Sequence, residues 1–321
     1  MQPGAAAGRL DRFQQRHRWI AFPLAVRQKY GDDQGGSLAA TVAYYGFFSL
    51  FPLLLVFVTG LGYVLHGHPQ LERTVVSSTL AQLPVIGPQL RVHALHGNPI
   101  ALGLGSAGAI WAGSAVMLAL QNAFNQVWGV PYTRRPDPIR RRLRSFAMLA
   151  GFGAGLLGSS VLSGIGGYGG SAGLALRAGG VVLSLVANFG LFLLAYRVLT
   201  ATNLAWRGLW PGAAAAAVAW TALQALGGFY ISHVLARSSN AYGTFAMVIG
   251  LLSWIYLASH ITILGAEANV VAQRRLWPRS LSIISEQPRT PADERALRQV
   301  AEIALRRSDE TIDVGFDEQG V

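Results

Sequence analysis

The residues best suited to chemistry lie near the end of a long apolar stretch. No acid occurs between Asp137 and Glu267, so Glu267 stands alone in apolar surroundings. His260 precedes it by seven residues and Tyr256 precedes His260 by four, which on a helix puts all three on one face. A carboxylate, an imidazole and a phenol in such a row could pass a proton or hold a polar group. Asn122 and Asn125 close an earlier apolar run, Tyr44 and Tyr45 open the first one, and Asn188 and Gln224 add amides within two more. Burying such groups in hydrocarbon is costly, so they are where function is sought. Together they could line one polar cavity, with Arg197 or an arginine of the 134–144 cluster paired to Glu267. The competing reading is that the amides are hydrogen-bond glue between helices.

The elements that must carry these residues follow from composition. The chain has 321 residues, 52% of them hydrophobic and only 13% charged, with no cysteine. That is about half the usual charged share of roughly 25%, too little to cover soluble cores. A span needs ~20 apolar residues to cross ~30 Å of hydrocarbon. Six stretches qualify, at about 37–65, 101–127, 146–166, 176–197, 209–233 and 243–271. The expected fold class is all-α, a polytopic membrane protein with six transmembrane helices, because open backbone finds no partner in lipid. A basic segment over 1–36 precedes the spans, mixing arginines with aromatic residues as an interfacial helix would. It lacks the pattern of a cleavable signal peptide. A tail over 272–321 follows, where Thr290, Pro291 and Asp293 mark a helix start. The third span places Gly151, Gly155, Ser159 and Ser163 four apart, a face on which helices can approach within or between subunits, so a homo-oligomer is open.

The net charge of +11 is uneven. The last 50 residues hold eight arginines and nine acids, and the remainder 18 bases against six acids. Arg134, Arg135, Arg140, Arg141, Arg142 and Arg144 fill the second connection and Arg197 closes the fourth span, while the odd-numbered connections are poor in bases. By the positive-inside rule both termini are expected in the cytoplasm. Trp19, Trp128, Trp206, Trp210 and Trp277 fall on the same side, as an interfacial belt would. The arginines are thus topology signals or headgroup contacts rather than a nucleic-acid surface, and no nucleic-acid partner is expected.

Other motifs carry less. Gly103, Gly105 and Gly108 match a dinucleotide fingerprint but have no strand before them. His66, His68, His93 and His96 cluster in the first connection; His93 and His96 share a helix face and are weak metal candidates. No cofactor is expected, nor any catalytic residue.

The first apolar run, LAATVAYYGFFSLFPLLLVFVTGLG, resembles the opening of the YihY/BrkB family of bacterial inner-membrane proteins. Pro211-Gly212-Ala213, Tyr242-Gly243, Trp254-Ile255-Tyr256 and Gly265-Ala266-Glu267 are similar to that family's later motifs. The resemblance covers about 30–275 and implies six spans, both ends in the cytoplasm, and a place in the bacterial inner membrane. Members are linked to serum resistance and to envelope lipid or lipopolysaccharide handling. An older family label, ribonuclease BN, fits no residue set here, so an enzyme is not expected. The expected function is transport or flipping of a lipid or other amphiphile, with membrane lipids as partners. The alternative is an envelope scaffold or assembly factor whose tail docks an envelope protein.

Overall fold

The computed structural model describes residues 11–64, 99–151, 173–230, 236–280, 289–307 and 309–316. Every regular element among them is helical, and no strand occurs in the described residues. His66, His68, His93 and His96 lie outside them, as do Gly155, Ser159 and Ser163 of the small-residue face.

The elements are α1 (Arg18–Asp32), α2 (Gly35–Val64), α3 (Pro99–Val127), α4 (Gly173–Leu199), α5 (Trp206–Tyr230), α6 (Ala236–Gln273) and α7 (Pro291–Ile303). A further helical segment covers 138–151. Helix α2 packs along both α3 and α6, and α5 packs between α4 and α6. Helix α1 lies against α6. At 38 residues, α6 is about 57 Å long at ~1.5 Å per residue.

Among the described residues, two helical stretches are long and apolar enough to cross a membrane, Gly179–Leu199 and Val248–Gln273, with mean hydropathies of 1.9 and 1.7. Only 11% and 28% of them are buried in protein. A core helix of a soluble domain would be mostly covered. Val181, Val182, Val186, Leu252 and Leu257 instead point outward, an exposed apolar face that calls for a hydrocarbon solvent.

The packed core is gathered at one end, where α3, α4 and α6 finish and α2 and α5 begin. Phe124, Val127, Tyr196, Leu199, Leu209, Ile263, Ala266 and Val270 are all buried there. Helix α3 stops in a Schellman motif: Val130 N–H donates to the Asn125 carbonyl and Gly129 N–H to that of Gln126. Gly129 sits at φ +63°, and the Gln299 side chain from α7 occupies the space a Cβ would need. Trp128 does not join an interfacial belt. It is 3% exposed and stacks on Phe124 and Tyr196, because the chain turns inward there. Trp19, Trp206 and Trp210 do face outward.

Helices α5 and α6 cross through glycine. A Cβ on Gly212 would lie 2.0 Å from the Gly265 carbonyl oxygen, and one on Gly265 would lie 2.4 Å from the Tyr196 hydroxyl. Pro211 interrupts the amide series of α5 at this point. Side chains of α6 serve the polar groups around it: Asn269 Oδ1 accepts from Gly212 N–H at 2.7 Å, and Gln273 Nε2 donates to the Gly208 carbonyl at 2.8 Å.

The tail helix α7 is docked. Thr290 and Asp293 form a reciprocal capping box, with Pro291 in the first turn. Arg279 bridges Asp293 at 3.0 Å and Asp32 of α1 at 2.6 Å. Burial alone would raise the Asp293 pKa, but hydrogen bonds from Arg279, Thr290 and the Ser280 and Thr290 amides outweigh it and hold it below the usual carboxylate range. Ala292, Ala296 and Ile303 are buried, and Gln299 Nε2 reaches the Val127 carbonyl.

Because the α5–α6 crossing leaves no room for a methyl group, Gly212→Ala should lower stability in detergent by about 1–3 kcal/mol through overpacking. Gly190→Ala, where nothing lies within 4 Å of the added carbon, should leave it unchanged or slightly raised. Thermal melts of the two variants check this. Equal melting temperatures would contradict the close approach.

Candidate functional site

Glu267 lies about two turns before the end of α6 and is fully buried. Its partner is neither Arg197 nor an arginine of the 134–144 cluster. It is Lys29, on α1, whose Nζ lies 3.6 Å from Glu267 Oε2. The expected arginines are engaged elsewhere. Arg197 donates to the Leu204 carbonyl and covers the Trp206 ring, Arg142 covers Trp111, and Arg141 donates to Asn122. Arg134 and Arg140 are exposed. Helix α1 packs against α6 and so lays Lys29 directly into the bundle end, which connection arginines would reach only by bending inward.

Lys29 makes three contacts with no access to water. It donates to Asp33, one turn on, in a short hydrogen bond; it donates to the Val127 carbonyl at the end of α3 at 3.2 Å; and it lies within ion-pair reach of Glu267. Lys29 and Glu267 are 0% exposed and the Asp33 side chain 1%. A cation at the C-terminal end of α3 also suits the helix dipole and satisfies one of its unpaired carbonyls. Arg274 from α6 does the same for the Trp128 carbonyl at 2.7 Å.

The arrangement is not fully satisfied. One ammonium faces two carboxylates, and Glu267 Oε1, Glu267 Oε2 and Asp33 Oδ1 accept no hydrogen bond. The 3.6 Å separation supplies Coulomb attraction but exceeds hydrogen-bond length. Burial raises the Asp33 pKa, overriding the opposing effect of Lys29. A buried acceptor without a donor costs ~1–3 kcal/mol, more when charged.

The other expected cavity residues fall into separate places. On the residue after Lys29, the Tyr30 hydroxyl lies 2.9 Å from His260 Nδ1, and the His260 ring packs on Tyr256. Asn125 is buried and accepts from the Ala201 amide at 2.8 Å, securing the turn after α4. Asn188 contacts Ser184 within its own helix, and Gln224 is half-buried. Tyr44 and Tyr45 are exposed on α2, where the Tyr44 ring packs against both Tyr45 and Phe48. Asn122 lines a surface groove of about 510 Å³ with Gln126, Tyr132, Arg135 and Arg141. Arg144 is half-buried on the 138–151 segment. The structure thus yields a buried charge cluster, an adjoining tyrosine–histidine pair and an arginine groove.

Lys29, Asp33 and Tyr30 were missed because they precede the first apolar run. A signal was present. Lys29 is the sole lysine among 26 basic residues, and Asp33 follows it at helical i, i+4 spacing.

Removing the ammonium would strand two carboxylates in a dry site. Lys29→Ala should cost about 3–5 kcal/mol, the range for breaking a buried pair. Glu267→Gln should cost far less, since Lys29 keeps Asp33, and it should recover part of the loss in the double variant. Denaturation of the four proteins in one detergent checks this, and strictly additive losses would contradict the contact.

The model of the virulence factor BrkB family matches residues 26–288. Among curated proteins, the chain is 26% identical over 271 residues to the ribonuclease-like protein YfkH of Bacillus subtilis, covering 80% of this chain and 96% of that one. It is 28% identical over 293 residues to a UPF0761 membrane protein of Ralstonia nicotianae, covering 82% of this chain but only 64% of that relative. It is 22% identical over 287 residues to the inner membrane protein YhjD of Escherichia coli, covering 83% and 85%. No solved structure matches. The matched region holds the second half of α1 and all of α2 to α6, together with Lys29, Asp33, Glu267 and Arg279, and on that ground the chain is a helical membrane protein of the BrkB family.

Proposed function

We propose that this BrkB-family protein moves a lipid or another amphiphile across or out of the bacterial inner membrane. In this reading the apolar runs form six spans with both termini in the cytoplasm, and the packed end with its arginines faces the cytoplasm. The observation that carries it is the Lys29–Asp33–Glu267 cluster: a fully buried carboxylate near the end of a span with neither oxygen hydrogen-bonded. Ionisable groups inside a membrane are costly and mark pathways for ions, protons or substrates. A static scaffold would be more stable with an uncharged side chain at Glu267, since buried ion pairs seldom repay desolvation. A transporter needs such a group, because a charge held only loosely can exchange partners as helices shift.

The ribonuclease-like name of the Bacillus subtilis relative is not carried over. The buried cluster is closed to any phosphodiester, and the reading rests on movement rather than bond cleavage.

The test is reconstitution into vesicles with fluorescently labelled lipids. Flux above that of empty vesicles is expected for wild type. A loss of at least roughly tenfold is expected for Glu267→Gln, since the charge at this depth is what the pathway uses. Thermal stability should fall only slightly in that variant, since Lys29 keeps Asp33, which separates lost function from lost fold. Wild-type flux equal to that of empty vesicles would favour the envelope-scaffold reading instead.

A further inference from the structure

The groove beside Asn122 is built differently from the buried cluster. Its walls come from α2 (Leu38), α3 (Asn122 and Gln126), the turn after α3 (Tyr132 and Arg135) and the start of the 138–151 segment (Arg141). Pro136 and Pro138 stiffen the connection. The backbone is further fixed by the Arg141 amide, which donates to the Asp137 carbonyl, and by Gln121, which donates to the Arg141 carbonyl at 2.9 Å. The site is therefore set by rigid elements before any ligand arrives.

Two guanidinium groups are held there with donors to spare. Arg135 uses Nε on the Val130 carbonyl at 3.2 Å and lies 4.0 Å from the Tyr132 ring centre, while its Nη2 is buried without a partner. Arg141 uses Nη2 on Asn122, while its Nε is likewise buried without a partner. Arg306 stacks on the same Tyr132 ring at 4.1 Å and adds positive charge. Burial first, then the Arg141 and Arg306 charges, lower the Arg135 pKa against the opposing effect of Tyr132. A bound anion would relieve that strain. Among the described residues, the only carboxylate lining the groove is Asp137, which is exposed.

We infer that this groove binds a phosphate group, held between Arg135 and Arg141, with Asn122 and Gln126 supplying amide contacts. Two arginines lining one groove suit a tetrahedral oxyanion that offers several oxygens at once. A volume of about 510 Å³ exceeds what inorganic phosphate needs and leaves room for a headgroup with its glycerol. Leu38 of α2 provides an apolar edge beside it. The inference deepens the transport reading and rests on it for the supply of phosphate from a lipid headgroup.

The test uses the full chain in phosphatidylcholine nanodiscs doped with phosphatidic acid, with native mass spectrometry to count retained lipid. Arg135→Gln with Arg141→Gln should cut phosphatidic acid retention roughly tenfold, the scale of losing charge-assisted hydrogen bonds. Arg134→Gln with Arg140→Gln removes the same net charge from exposed positions and should leave retention unchanged. Equal loss in both pairs would overturn the site. Titration with inorganic phosphate separates the sources. Displacement at comparable concentrations makes free phosphate a ligand of the same groove, whereas none assigns it to lipid. Should the double variant fold poorly, arginine modification by phenylglyoxal in the wild type replaces it. Arg135 and Arg141 should be protected by phosphatidic acid, and absence of protection would overturn the proposal. Retained binding with wild-type flux no higher than that of empty vesicles would keep the groove and remove the transport reading. Flux without groove binding would remove only the groove.

Discussion

A single ammonium group ties the packed end of this protein together. Lys29 reaches from α1 to the last carbonyl of α3, to Asp33 at the break before α2, and to the ion-pair shell of Glu267 on α6. Three helices and the break between α1 and α2 thus share one buried positive charge. Its desolvation is offset only while all these acceptors stay in place. The surrounding apolar contacts, from Val26 to Phe124 and Val270, keep water out and so strengthen the Coulomb attraction. Lysine suits the position better than arginine, because a compact ammonium can meet three acceptors that a planar guanidinium could not approach together.

Around that point the two ends of the chain close on each other. Arg279 joins Asp32 at the end of α1 to Asp293 in the first turn of α7, and Gln299 of α7 shares the Val127 carbonyl with Lys29. The tail helix therefore rests directly on the charge cluster. A shift of α7 or α1 would be felt at Glu267 through contacts rather than at a distance. Carboxylate oxygens left without donors at Glu267 and Asp33 make this the least settled part of an otherwise close-packed region.

Much of the helical framework was legible in the sequence, since apolar runs of membrane length have few alternatives. The run beginning at Ser37 is α2, and Thr290-Pro291-Ala292-Asp293 forms the capping box its residue types imply. The site was less legible. Glu267 stood out because no other acid lies near it in the apolar stretch, but its partner came from a helix 238 residues away in sequence, which periodicity cannot reveal. Tyr30 and His260 met for the same reason. Trp128 looked interfacial by position, yet the Schellman turn at Gly129 directs it inward. By position the arginines near the spans form one group, whereas side-chain geometry separates Arg135 and Arg141, which line one groove, from Arg142 and Arg197, which are spent on aromatic rings and a carbonyl.

The most direct test of this account uses the fact that Lys29 is the chain's sole lysine. Side-chain acetylation by an amine-selective reagent, followed by peptide mass spectrometry, reports on that one position. In the folded membrane-embedded protein Lys29 should react at least a hundredfold more slowly than in the denatured chain, since it is fully buried and paired. Labelling of native Lys29 at the denatured rate would contradict the buried tie on which the rest of the structure depends.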